Sequence, residues 1–128
     1  MMNMPPLSLT QERATRLLAY VQMYRRLALT QIAPSTERNA IQRQLQALQG
    51  KLMHREEREQ QETIYHLSVT SEDIAALKTM VADLLVLTTR EPATVQRDIT
   101  LVDLASLKGT LEKLSLYGQK KSYTKTLL

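Results

Sequence analysis

Apolar residues recur along this chain at the three- and four-residue spacing of amphipathic helices, in four separate segments. The first segment follows Pro5-Pro6, and its helix is predicted to begin at Ser8 or Thr10. Pro34 ends this helix, because proline disfavours helical geometry at the residue before it. The predicted apolar face of this helix comprises Ala14, Leu17, Val21, Tyr24, Ala28 and Ile32.

A narrower apolar seam, of coiled-coil width, marks the second segment, which Ser35 or Thr36 is predicted to cap. After Leu52 the same seam would continue through charged residues. Residues 54–62 are therefore predicted either to extend the helix into solvent or to leave the core. Residues 64–69 alternate loosely between apolar and polar, which predicts a short extended connector. The seam itself consists of Ile41, Leu45, Leu48 and Leu52.

The third segment has the clearest helix start in the chain. Thr70 is the predicted N-cap, and Asp73 occupies the third helical position of a capping box. The apolar run that follows, residues 74–87, contains only two charged residues, so this helix is predicted to be the most buried. The run is too short and too charged to span a bilayer.

The fourth helix is predicted from Asp98 or Thr100 to Tyr117, with Gly118 as the residue that ends it. It carries a leucine seam and a second face of small residues, which another helix of this chain or of a second copy could approach closely. The second face comprises Val102, Ala105, Ser106 and Gly109. The candidate helix–helix interface comprises Leu104, Ala105, Leu107, Gly109, Leu111 and Leu114.

These segments predict an all-α fold, a small antiparallel bundle of about four helices that dimerisation would complete. We expect residues 1–7 to be a flexible N-terminus, 8–118 the bundle domain and 119–128 a flexible basic tail. One bundle buries only one of the two faces of the fourth helix, so a homodimer is expected. The N-terminus lacks the basic and apolar regions of a signal peptide, and we predict a cytoplasmic protein without membrane contact.

The amino-acid composition limits the kinds of chemical site that this chain can form. The 128 residues include no cysteine and three glycines, which excludes disulfides, thiolate metal sites and a glycine-built phosphate loop. Of the two histidines, His54 borders a charged run. His66 lies four residues after Glu62, where a surface hydrogen bond is favoured over a weak metal contact. We therefore predict no catalytic residue, metal or cofactor, and no enzymatic activity.

Charge is unevenly distributed. The formal net charge is +4, yet residues 1–33 carry +3, residues 113–128 carry +4, and the middle is neutral to acidic. In an antiparallel bundle of four helices, the end of the fourth helix lies beside the start of the first. The basic residues predicted to converge there, as a candidate polyanion site, are Arg13, Arg16, Lys113, Lys120, Lys121 and Lys125.

Two further patterns bear on nucleic acid. Tyr20 and Tyr24 lie one turn apart among arginines. They either form a surface on which bases stack, or lie at the edge of the core with their hydroxyls in water. The second interpretation is favoured. Residues 104–109, with Ala105 and Gly109 four apart, resemble the first helix and turn of helix-turn-helix proteins. The leucines continue at helical spacing through Leu114, which favours one continuous helix.

Two functions remain as hypotheses. The first is a non-enzymatic helical interaction module, an adaptor, assembly subunit or regulator that binds a protein partner or a second copy through helix faces. The alternative is a small nucleic-acid-binding accessory protein that uses the basic residues at both ends of the chain.

Overall fold

Four helices and one two-stranded sheet form the described part of the chain in this computed structural model. The structure describes the backbone of residues 5–30, 35–57 and 64–127, and the side chains of residues 5–27, 35–55 and 64–116. The predicted all-α helical bundle is confirmed. In chain order the elements are β1 (Leu7–Thr10), α1 (Gln11–Thr30), α2 (Thr36–Glu57), β2 (Ile64–Leu67), α3 (Ser71–Thr89) and α4 (Val95–Leu127).

Hydroxyl side chains cap the first two helices. Thr10 Oγ1 accepts a hydrogen bond from the backbone N–H of Arg13 at 3.2 Å, so Thr10 caps α1. Ser8, the other predicted start, lies within β1. At α2, Ser35 Oγ accepts from the backbone N–H of Arg38 at 3.1 Å, which makes Ser35 the cap.

The capping box predicted for α3 is confirmed. Thr70 Oγ1 accepts from the backbone N–H of Asp73 at 3.1 Å, and Asp73 Oδ2 accepts from the backbone N–H of Thr70 at 3.0 Å. Asp73 is buried and its Oδ1 also accepts from Gln44 Nε2 at 3.0 Å, which ties α3 to α2. Within the described residues, α3 has more buried positions than any other helix, as its apolar run predicts.

The fourth helix is longer at both ends than the sequence predicts. It begins at Val95 rather than at Asp98 or Thr100, because Thr94 Oγ1 accepts from the backbone N–H of Arg97 at 3.0 Å and caps it. Its backbone stays helical through Gly118 to Leu127, so Gly118 does not end it. A glycine inside a helix costs only about 1 kcal/mol relative to alanine, which neighbouring helix formers offset.

A strand pair at the start of the bundle has one predicted and one unexpected member. The extended connector is confirmed as β2, which pairs antiparallel with β1 in the register Leu7↔Leu67 and Thr10↔Ile64. Leu7, which the sequence places in the N-terminal segment before the bundle, is fully buried here. Leu7 and Leu9 point to the core and Ser8 and Thr10 to solvent, the period-2 alternation of a strand.

The core contains most of the predicted apolar faces, and Ala28 and Ile32 of the α1 face lie outside the described side chains. Leu45, Leu48 and Leu52 of the α2 seam are buried. Arg55 continues this seam and is also buried, with its guanidinium 5.7 Å from the centre of the Tyr65 ring. The backbone of α2 continues to Glu57, and residues 58–62 of the predicted solvated run lie outside the described residues.

Candidate functional site

The leucine seam of α4 is used inside this chain. Leu104 and Leu111 are fully buried, and Leu107 and Leu114 pack against the core. Four of the six candidate interface residues therefore pack within the bundle, largely against α3. The remaining two, Ala105 and Gly109, lie on another side of the helix, where Ala105 is exposed.

A second apolar surface, the α4 stripe, runs along the outer side of this helix. Val95, Val102, Gly109 and Leu116 follow one another at seven-residue spacing, with Ile99 and Ala105 beside them. Val95 is 77% exposed, Ile99 57%, Val102 70% and Leu116 60%. The α4 stripe, defined as Val95, Ile99, Val102, Ala105, Gly109 and Leu116, thus leaves large apolar side chains in water along about 30 Å of helix.

Gly109 has no packing role within the described bundle. A Cβ atom added at this residue would meet nothing within 4 Å. The predicted close approach of another helix is therefore absent within the described part of this chain. The alternative, approach by a second copy, stays a prediction.

Charged residues flank the α4 stripe with opposite signs at its two halves. Asp98 lies beside the N-terminal half, and Lys113 lies beside the C-terminal half; both are exposed. Between them, Lys108 Nζ and Glu112 Oε1 form an exposed pair at 4.0 Å. An exposed pair of this kind contributes little to stability.

The structure brings the arginines of the candidate polyanion site against α4. Arg13 Nη2 donates to Ser106 Oγ at 3.2 Å, while Arg16 pairs with Glu12 at 2.9 Å and with Asp103 at 3.3 Å. Later residues of α1 contact earlier residues of α4, since Arg13 meets Ser106 and Arg16 meets Asp103. The two helices are therefore antiparallel. Two carboxylates already neutralise Arg16, which weakens it as a phosphate ligand.

The lysines of that candidate site lie further along α4. Lys113 is exposed and follows Ser106 by seven residues, about 10 Å along the helix axis. Lys120 and Lys121 belong to the helical backbone of α4, as does Lys125, and the side chains of all three lie outside the described residues. The structure therefore brings together Arg13 and Arg16, with Lys113 two turns away.

Tyr24 lies in the core and Tyr20 packs against it, as the favoured interpretation predicts, but their hydroxyls bind carboxylates instead of water. The Tyr20 hydroxyl donates to Asp103, which also pairs with Arg16. One turn on, the buried Tyr24 donates to Asp83 Oδ2 at 2.6 Å. Neither hydroxyl simply reaches into water, and these hydrogen bonds engage the polar ends of both rings.

A third helix joins the Tyr24 cluster. Arg38 of α2 donates to the same Asp83 oxygen at 3.1 Å. Burial, followed by the neighbouring Asp83, raises the pKa of Tyr24 to about 12, and burial and Asp103 raise the pKa of Tyr20 still further. Both phenols are therefore protonated hydrogen-bond donors at neutral pH. The Tyr20 cluster joins α1 to α4, and the Tyr24 cluster joins α1 to α2 and α3.

Groups suited to metal binding are not assembled in the described residues. No set of three or more His, Cys, Asp or Glu side chains lies close enough there to hold an ion. His66 Nδ1 lies 3.0 Å from Ser8 Oγ across the sheet, and His54 is exposed on α2. Glu62, predicted to approach His66, lies outside the described residues.

Polar side chains line a groove on the outer side of the α1–α2 pair that sequence patterning did not single out. Its volume is about 660 Å³. Arg25 donates from Nη1 to Gln49 Oε1 at its edge. This hydrogen bond joins the Arg25 guanidinium of α1 to α2. The groove is lined by Gln22, Arg25, Arg26, Asn39, Gln42 and Gln49.

No protein-family model, curated protein or solved structure matches the chain. Among the helices of the described residues, none combines the length and apolar character needed to cross a membrane.

Proposed function

We propose that this chain is a non-enzymatic helical interaction module that associates with a second copy of itself through the α4 stripe. The observation that carries the proposal is the exposure of Val95, Ile99 and Val102 on a helix whose opposite side already supplies the core. Fully burying one such side chain yields about 1.5–3 kcal/mol, so covering three of them supports association.

An antiparallel arrangement of two α4 helices fits the stripe best. With a two-fold axis between Ala105 and Ser106, Val102 of one copy lies opposite Gly109 of the other. Val95 then lies opposite Leu116. A large side chain thus meets the open space above a glycine, which is knob-into-hole complementarity, and each contact occurs twice as two-fold symmetry requires.

Charge complementarity favours the same orientation. In the antiparallel arrangement Asp98 of each copy lies beside Lys113 of the other. A parallel arrangement would place the two Lys113 ammonium groups side by side and leave two glycines facing each other. Like charges across a helix pair destabilise it, which argues for a second copy in the antiparallel sense.

The nucleic-acid alternative rests on the junction of α1 and α4. Arg13 at the start of α1 lies against Ser106, and Lys113 follows two turns on. Since Arg16 is paired with two acids, this function depends chiefly on Lys113 and the lysines beyond it. Such binding would be non-specific and would weaken steeply with salt.

Sedimentation velocity over a range of protein concentrations tests the proposal. We expect a concentration-dependent dimer, and Val102→Asp should weaken it by about tenfold or more because it buries an unpaired charge. Val86→Asp is the matched control, since Val86 is 50% exposed on α3 and lies outside the stripe. A monomer at all concentrations, or equal effects of the two variants, would contradict the proposal.

Absorbance on the same samples separates the two functions. Protein purified at low salt should show a protein-like ratio of absorbance at 260 and 280 nm if the stripe is the functional surface. A raised 260 nm signal that high salt removes, and that Lys113→Gln reduces while Val102→Asp does not, would favour the nucleic-acid alternative instead.

A further inference from the structure

The groove between α1 and α2 has the donors of an anion site. Its six lining side chains are two arginines and four primary amides, and none of them is acidic. Arginine presents planar, charged donors that match a carboxylate or a phosphate, and amides add both donors and acceptors. The lining therefore carries a formal charge of +2 beside hydrogen-bonding groups of both kinds.

A hydrogen bond to α2 holds Arg25 in place at the edge of the groove. Its Nη1 donates to Gln49 Oε1, so the hydrogen bond to α2 fixes the guanidinium of an α1 residue. Its Nε is buried and has no hydrogen-bond partner within the described residues. A guanidinium that a hydrogen bond already holds in place loses less conformational entropy when its other donors bind an anion.

We infer that this groove binds a small ligand that carries an oxyanion, a phosphate or a carboxylate, on a polar scaffold. Arg25 and Arg26 bind the oxyanion, and Asn39 and Gln42 on the opposite helix bind the polar scaffold. A volume of about 660 Å³ lies within the range of small-molecule sites and far exceeds what a bare anion needs. The inference does not depend on self-association, since α4 contributes nothing to the groove.

Nuclear magnetic resonance of the full chain provides the test. Arg25 Nε–H and the side-chain amides of Gln22, Asn39, Gln42 and Gln49 each give separate proton–nitrogen signals. We expect these signals to shift saturably on titration with adenosine monophosphate or with citrate at constant ionic strength. Inorganic phosphate, which has no scaffold, should bind more weakly than adenosine monophosphate.

Charge-neutralising variants locate the binding. Arg25→Gln should weaken binding by about tenfold or more, as loss of a charge-assisted pair does, and Arg26→Gln is a second variant should the first fold poorly. Arg43→Gln is the matched control, because Arg43 is an exposed arginine of α2 outside the lining. Its binding should stay within about threefold of wild type.

Each outcome decides the inference. A preference for adenosine monophosphate assigns a phosphate ligand, and a preference for citrate assigns a carboxylate; both support the groove. The inference is overturned if no probe shifts the Arg25 and amide signals saturably, or if Arg43→Gln weakens binding as much as Arg25→Gln. Far tighter binding of a single-stranded oligonucleotide, with shifts spread outside the groove, would also overturn a small-molecule site.

Discussion

Tyr20 and Tyr24, one turn apart on α1, each donate to an aspartate that also binds an arginine. Tyr20 and Arg16 share Asp103 of α4, whereas Tyr24 and Arg38 share Asp83 of α3. Charge-assisted hydrogen bonds of this kind are stronger than neutral ones and fix geometry. At the scale of single residues, these two clusters therefore join α1 to the other three helices.

The Tyr24 cluster makes stability depend on pH in the alkaline range. Since the pKa of Tyr24 rises from 10.0 to about 12 on folding, the protonated phenol is the form that the folded state favours. Its contribution to the free energy of unfolding is complete below pH 10 and is lost as the pH rises from about 10 to about 12. Tyr24→Phe should lower the free energy of unfolding by about 1–2 kcal/mol at pH 7.

Urea unfolding of both proteins from pH 7 to pH 12 checks this prediction. Other titrating groups are common to both, so the difference between them isolates Tyr24. That difference should shrink above pH 10, because only wild type has the cluster to lose. A difference that stays constant to pH 12 would show that the Tyr24 phenol contributes no pH-dependent stability.

At the scale of elements, the start of α3 shows how a local motif also serves tertiary structure. Thr70→Ala removes one capping hydrogen bond and should cost about 1 kcal/mol. Asp73→Ala should cost more, because buried Asp73 also accepts from Gln44 of α2. Thermal unfolding by circular dichroism measures both. Equal costs would show that the bond between α2 and α3 adds nothing to the cap.

The strand β1 should be a structural part of the bundle rather than an appendage. Leu7 is fully buried opposite Leu67, so Leu7→Ala should lower the free energy of unfolding by about 2–4 kcal/mol. Ser8→Ala is the control on the exposed side of the same strand, where the cost should be below about 1 kcal/mol. A small effect of Leu7→Ala would mean that residues 5–10 do not contribute to the core.

The sequence predicts those elements whose causes are local. Helix periodicity, the Thr70 capping box and the burial of α3 depend on residues within a few turns of one another. The sequence does not predict strand β1, because its partner β2 lies almost sixty residues later and four alternating residues resemble a helix cap. The burial of Arg55 is not predicted either, since the Tyr65 ring that lies near its guanidinium belongs to another element.

The same distinction between local and long-range causes applies to the candidate surfaces. The sequence predicts two apolar faces on α4, and the structure decides that the leucines pack inwards while Val95, Ile99 and Val102 stay exposed. The α1–α2 groove left no periodic signal, because it arises where the polar sides of two helices meet. The angle between those helices is set by core residues elsewhere.

At the scale of the whole molecule, glycine substitutions separate folding from self-association. Gly50 and Gly109 are both helical, and a Cβ at either meets nothing within 4 Å. Alanine at each should therefore raise the free energy of unfolding of the single chain by up to about 1 kcal/mol. Only Gly109→Ala should weaken the dimer, because only Gly109 receives Val102 of the second copy.

Chemical unfolding at low protein concentration and sedimentation at high concentration measure these two effects. Gly50→Ala should unfold later and dimerise as wild type does. If Gly109→Ala dimerises as tightly as Gly50→Ala, the space above Gly109 is not part of the interface. The antiparallel arrangement of α4 helices would then have to be abandoned.

Charge reversal tests the orientation of the two copies. Asp98→Lys places two positive charges together at each end of an antiparallel interface, and Lys113→Asp places two negative ones. Each single variant should weaken the dimer several-fold, and the double variant should recover it, because the pair is restored with its signs exchanged. Both residues are exposed, so the stability of the single chain should change by less than about 0.5 kcal/mol.

In a parallel dimer Lys113→Asp would exchange one like-charged pair for another, and the double variant would show no recovery. Recovery of the dimer in the double variant therefore identifies the antiparallel arrangement. Sedimentation velocity at low salt, where exposed charges are least screened, measures the recovery.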